Sequence, residues 1–195
     1  PIEREKPEEG IVYIAFGFGK IVVDAGSSLR FSPKHPKKIM QLSNPNHALK
    51  NTQKDFYALD MDASFTPTAG TADNLTKLSV QDAANHGSLK YIASTYDLRS
   101  GRFSDSPNGE GQKVMTFSGI LKYKTFPIAE IIQDMLKLGE EIMNTPIEIE
   151  FAGNLNRPPE KLPEFSLLQI RPIVEGSEFD DINIDEDQIE KALVY

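Results

Sequence analysis

A near-continuous apolar stretch from Ile11 to Phe16 leads into Gly17-Phe18-Gly19-Lys20 and then Ile21-Val22-Val23. β-Branched residues on both sides of a glycine pair predict a strand, a tight turn and a second strand. Turn residues crowd Ser32 to Pro36 and Asn44 to Asn46, so Lys37 to Leu42 between them reads as a short strand. From Asp60 to Asn74 the apolar pattern thins, and Ser64 to Ala72 is small and polar, as a surface excursion would be. Ser79-Val-Gln-Asp82 has capping-box spacing, which predicts a short helix from Ser79 to His86 closed by Gly87. Tyr91 to Tyr96 reads as a strand, and the Gly-, Pro- and acid-rich Arg99 to Gly111 as a loop.

The last third has the clearest periodicity. Val114 to Leu121 is apolar enough for a strand, and Thr125 stands where it would cap a helix beginning at Pro127. Ile128, Ile131, Ile132, Met135, Leu136, Leu138 and Ile142 then recur mostly at threes and fours, the stripe of an amphipathic helix. Ile147 to Phe151 alternates strictly, and Ser166 to Val174 is another strand, ending near Pro172. The expected fold class is α+β, a mainly antiparallel sheet with packed helices, the Pro127 to Met143 helix behind it. Residues 1–175 form the body; 176–195 read as an acidic exit linker with a short helix, whose aspartates lack the glycine and spacing of a calcium loop.

Composition narrows the classes of function. At 195 residues, 39% hydrophobic and 26% charged, the chain is a folded body of one domain or two small lobes. Without cysteine it has no disulfide, thiolate metal site or thiol nucleophile, which points toward a reducing compartment such as the cytoplasm. No apolar run approaches a membrane span, so no membrane association is expected. A net charge of −8 argues against nucleic acid as a partner. The polar, charged start at Pro1 reads as a piece cut from a longer polypeptide.

Strand alternation puts Glu148 and Glu150 on one face of the first late strand, and Gln169 and Arg171 on one face of the second, with Leu168 and Ile170 opposite. The Gly- and Pro-containing stretch from Ala152 to Phe165 suits a long hairpin connection. Antiparallel pairing would gather two carboxylates, an amide oxygen and a guanidinium on one surface. Hard oxygen ligands suit Mg²⁺, and arginine's planar fork suits phosphate, so the set matches a metal–nucleotide triphosphate site. The plainer account is a solvated edge strand with a surface ion pair to Arg171.

The run Gly139-Glu-Glu-Ile-Met-Asn-Thr-Pro-Ile-Glu-Ile-Glu-Phe-Ala, followed by Leu167-Leu-Gln-Ile-Arg-Pro172, resembles the end of the ATP-grasp nucleotide-binding domain of phosphoenolpyruvate synthase and pyruvate phosphate dikinase. Gly17-Phe-Gly-Lys-Ile-Val-Val-Asp is similar to that family's Gly-Leu-Gly-Glu-x-Val-Val segment, and Val114 to Leu121 also has a family look. The likeness spans roughly residues 10 to 175, with the middle poorly matched. It implies an ATP-grasp-like subdomain with ATP and Mg²⁺ as cofactors. Glu150 and Gln169 would be metal ligands, Glu148 would lie near the metal, Arg171 would face the transferred phosphates, and Gly17 and Gly19 would flank the nucleotide. Lys20 departs from the acidic residue of the family pattern, Phe151 replaces a tryptophan, and the loop between Glu150 and Gln169 is longer.

The resemblance also implies partners: an N-terminal lobe carrying further phosphate-binding side chains, a phosphohistidine domain, and pyruvate as small-molecule substrate. His35, His47 and His86 sit in loop or cap contexts rather than in a phosphohistidine motif. The implied activity is an ATP-dependent phosphotransferase passing phosphoryl to a histidine and then to pyruvate, with this chain alone inactive. A degenerate, non-catalytic nucleotide-binding or interaction domain is the alternative.

Overall fold

The computed structural model describes residues 9–23, 27–61, 75–155, 158 and 161–173. The surface excursion from Ser64 to Ala72 and the acidic C-terminal segment both lie outside the described residues.

β1 (Val12–Ile14) pairs antiparallel with β2 (Leu29–Phe31), burying Val12, Ile14, Leu29 and Phe31 on one face. Between them the expected second strand is instead a single helical turn, α1 (Lys20–Val23). The Gly19 carbonyl accepts from the Val22 and Val23 amides at 2.9 and 3.4 Å, so the chain curls immediately after the glycines. The curl buries Ile21 and leaves Val23 83% exposed, so the β-branched preference loses to local hydrogen bonding.

The strand expected at Lys37 to Leu42 is also absent. That segment forms turns and a 3₁₀ turn at Met40–Leu42. Gln41 explains the difference. Its side chain accepts from the Arg30 amide at 2.7 Å and donates to the Ser28 carbonyl at 2.9 Å, satisfying the free edge of β2 where a strand would have paired.

α2 (Pro45–Asn51) is capped by Asn44 and leads to β3 (Asp55–Leu59), which pairs antiparallel with β4 (Leu75–Ser79). The capping box forms as the spacing predicts, with Asp82 and Ser79 exchanging hydrogen bonds at the start of α3 (Val80–Ala83). A 3₁₀ turn to His86 follows, and Gly87 closes it at φ +69°.

β5 (Ala93–Asp97) lies between β6 (Arg102–Ser104) and β7 (Gln112–Met115) in a three-stranded antiparallel sheet. The stretch read as a pure loop thus contains β6. The expected strand to Leu121 is cut short: the backbone turns at Phe117, φ 51°, into α4 (Ser118–Leu121). A short apolar run satisfies a buried strand and a buried helix equally, and here Ile120 and Leu121 are buried as helix.

α5 (Ile128–Met143) follows the stripe read from the sequence, burying Ile128, Ala129, Ile132 and Gly139. Pro127 precedes the helix rather than opening it. Thr125 donates its hydroxyl to the Gly119 carbonyl at 3.0 Å, so it fastens α4 to the start of α5 instead of capping. The fold is therefore mixed α and β, built from small separate antiparallel sheets around one apolar cluster, not one continuous sheet. Among the described residues no helix is long and apolar enough to cross a membrane.

Candidate functional site

β8 (Ile147–Asn154) and β9 (Glu164–Pro172) form an antiparallel hairpin against α5. Close approach is allowed by Gly139: a β-carbon there would lie 2.2 Å from Ile147 Cδ1 and 3.0 Å from Ile170 Cδ1. Ile147 is buried, and Phe151 and Phe165 stack with centroids 5.4 Å apart on the same side. The opposite face looks outward.

On that outer face Glu148 stands opposite Arg171, and Glu150 opposite Gln169. The four side chains that alternation pointed to are brought together. Just beyond them the register slips: Phe151 faces Leu167, so Leu168 is the extra residue of a bulge and is 64% exposed. Alternation had placed Leu168 on the apolar face with Ile170, and the bulge removes it. Bulges twist the strand locally and re-aim neighbouring side chains.

Arg171 binds Glu148 in a forked contact, Nε donating to Oε2 at 3.1 Å and Nη2 to both carboxylate oxygens at 2.9 Å. Both side chains are about half exposed, so this is a surface pair rather than a buried one. These bonds use Nε and Nη2, leaving Nη1 for a second anion. Glu150 and Gln169 make no side-chain hydrogen bond among the described residues. One carboxylate and one amide oxygen facing each other across the hairpin fit a hard cation that keeps most of its waters. Glu148 accepts its hydrogen bonds from Arg171. No cluster of three acidic or histidine side chains is present among the described residues.

The glycine loop belongs to a different neighbourhood. Gly17 has φ +90°, and a β-carbon there would sit 2.8 Å from the Tyr57 carbonyl oxygen and 2.9 Å from Phe56 Cβ. The loop is tied to β3 by the Phe18 amide donating to that same Tyr57 oxygen at 2.8 Å. Gln53, almost wholly buried, clamps Phe16 through both its amide and carbonyl. Packing against β3 thus accounts for Gly17 without a ligand. Gly19 is different: nothing lies within 4 Å of a β-carbon there. The Lys20 ammonium sits over the Tyr57 ring, 5.3 Å from its centroid.

Two of the three histidines have local partners. His47 Nδ1 lies 3.1 Å from the Ser43 hydroxyl, and His35 Nε2 lies 3.7 Å from Glu9.

A second polar cluster has no signature in the sequence. Ser94 on β5, Thr116 after β7 and Ser118 on α4 meet only because β5 and β7 pair. Asp105 stands nearby with Lys122 and Tyr123, which donate to Oδ2 at 2.5 and 2.7 Å. Partial burial pushes the Asp105 carboxyl up, but hydrogen bonds from Lys122 and Tyr123, the Lys122 charge and Ser94 outweigh it and hold it below the usual aspartate value. The hydrogen bond to Asp105 raises the Lys122 ammonium above its ordinary value in turn. No family model, curated protein or solved structure matches the chain.

Proposed function

We propose that this chain is the C-terminal part of an ATP-grasp nucleotide-binding domain in a larger, cytoplasmic, phosphoenolpyruvate synthase-like phosphotransferase. The observation that carries the reading is the register of the late hairpin, which sets Glu148, Glu150, Gln169 and Arg171 on one exposed face. In this reading Glu150 and Gln169 hold Mg²⁺ through oxygen atoms, and Arg171, oriented by Glu148, binds phosphate oxygens of ATP. The metal's contribution is to offset the negative charge of those phosphates. An arginine held by a carboxylate beside it is pre-set in direction, which lowers the entropy lost when it meets phosphate.

The remaining phosphate-binding groups, the phosphohistidine and the pyruvate site are assigned to other parts of the polypeptide. The isolated chain accordingly binds MgATP weakly and does not turn over ATP and pyruvate. Titration calorimetry of the full 195-residue chain with MgATP tests this. Heat that vanishes in Arg171→Ala and in Glu150→Gln supports the reading; binding indifferent to both substitutions overturns it.

One observation favours a non-catalytic relative instead. Lys20 packs over Tyr57 and brings a cation where the resembled family has an acid. An intact protein that binds MgATP but never phosphorylates its own histidine decides for that second reading.

A further inference from the structure

We infer that the cleft between the β5–β7 sheet, α4 and the segment 36–48 is a binding site for a small organic anion with an apolar body. The cleft encloses about 490 Å³, within the range of small-ligand pockets. Its residues are not those of the hairpin face, so the inference stands or falls independently of the nucleotide reading.

Its inner end is polar. Ser94 Oγ lies 2.6 Å from Thr116 Oγ1 and 3.3 Å from Ser118 Oγ, and all three residues are buried. Ser94 donates to the Asp105 carboxylate and Thr116 to Ser94, which leaves the Ser118 hydroxyl as the donor that can turn toward an incoming anion. Phe117, between two of these residues, is a buried aromatic held at φ 51°. Left-handed backbone is costly for a bulky side chain, and such outliers gather at binding sites. Here it makes the sharp turn that carries the chain from β7 into α4 and sets Thr116 and Ser118 side by side.

Charge decides the sign of the ligand. Asp105 is neutralised by Lys122. Lys37, which also lines the cleft, has no ion pair or hydrogen bond among the described residues, leaving one net positive charge at the cleft. Apart from Ser43, the rest of the wall is apolar, contributed chiefly by Ile39, Leu42, Phe103 and Leu121. Such a surface takes an acid with a hydrocarbon or aromatic portion, not a polyol or an amine.

The probe is 4-phenylbutyrate, compared with 4-phenylbutan-1-ol and 4-phenylbutylamine by ligand-observed NMR on the full chain. A ligand of this size is expected to bind with a Kd of about a millimolar. Lys37→Gln, at an exposed position, should weaken the acid by about two- to fivefold and leave the alcohol unchanged. Leu42→Trp, with folding checked by circular dichroism, should block both by filling the cleft. The inference is overturned if no probe binds, if the amine binds as well as the acid, if Lys37→Gln has no effect on the acid, or if binding survives Leu42→Trp in a folded protein.

Discussion

Replacing Gly17 by alanine separates a structural glycine from a ligand-binding one. The residue sits at φ +90°, a conformation that costs an L-residue about 1–2 kcal/mol. The new methyl would also lie 2.8 Å from the Tyr57 carbonyl and 2.9 Å from Phe56 Cβ. Neither neighbour can withdraw freely: the Tyr57 oxygen accepts from Phe18, and Phe56 is buried in the core cluster. Overpacking of this kind typically costs about 1–3 kcal/mol. Reduced freedom of the unfolded chain returns about 0.4–1 kcal/mol. The net loss is therefore about 3 kcal/mol, and at about 2–4 °C per kcal/mol for a chain of this size Tm should fall by about 6–12 °C. Gly19→Ala is the internal control, since open space and ordinary backbone should keep it within about 0.5 kcal/mol of wild type. Paired thermal and urea melts read both variants. A Gly17→Ala protein as stable as wild type would refute the packing account. If Gly19→Ala leaves the melt unchanged yet weakens MgATP binding, the glycine loop has a ligand role that packing does not explain.

The remaining expectations are narrower. Because the Asp105 carboxyl is held below its ordinary value, its interactions stabilise the fold above the unfolded aspartate pKa. That contribution is lost as pH falls through the folded value, so Asp105→Asn should show a shallower acid limb in a stability–pH profile; identical limbs would show that the cluster does not couple to folding. Glu148→Gln should change stability by no more than about 1 kcal/mol, since the pair is half exposed, while lowering MgATP affinity; a collapse in Tm would mean the pair is structural. Gly139→Ala places a methyl against Ile147 Cδ1, and Ile147→Val removes that atom. The valine change alone should cost about 0.5–1.5 kcal/mol, and less in the alanine background; additive costs would show that α5 and the hairpin are not in close contact.

The sequence alone determined the elements whose pattern is both long and local. The α5 stripe, the β8 alternation and the Ser79–Asp82 capping box each rest on spacing within a few residues, and each is present in the structure. The same alternation placed Glu148 with Glu150 and Gln169 with Arg171, because side-chain direction in a strand is a matter of parity. Tertiary structure decided the rest. Ile21 to Val23 and Ile120 to Leu121 are apolar runs too short to choose between strand and helix, and hydrogen bonds to the Gly19 carbonyl and the turn at Phe117 made the choice. Gln41 completes the edge of β2 from outside it, which no propensity of its own segment foretells. Which carboxylate meets Arg171, and that Leu168 falls out of register, depends on how two strands separated by a long loop align. The serine and threonine hydroxyls of the cleft lie more than twenty residues apart in part, and only sheet pairing brings them into contact.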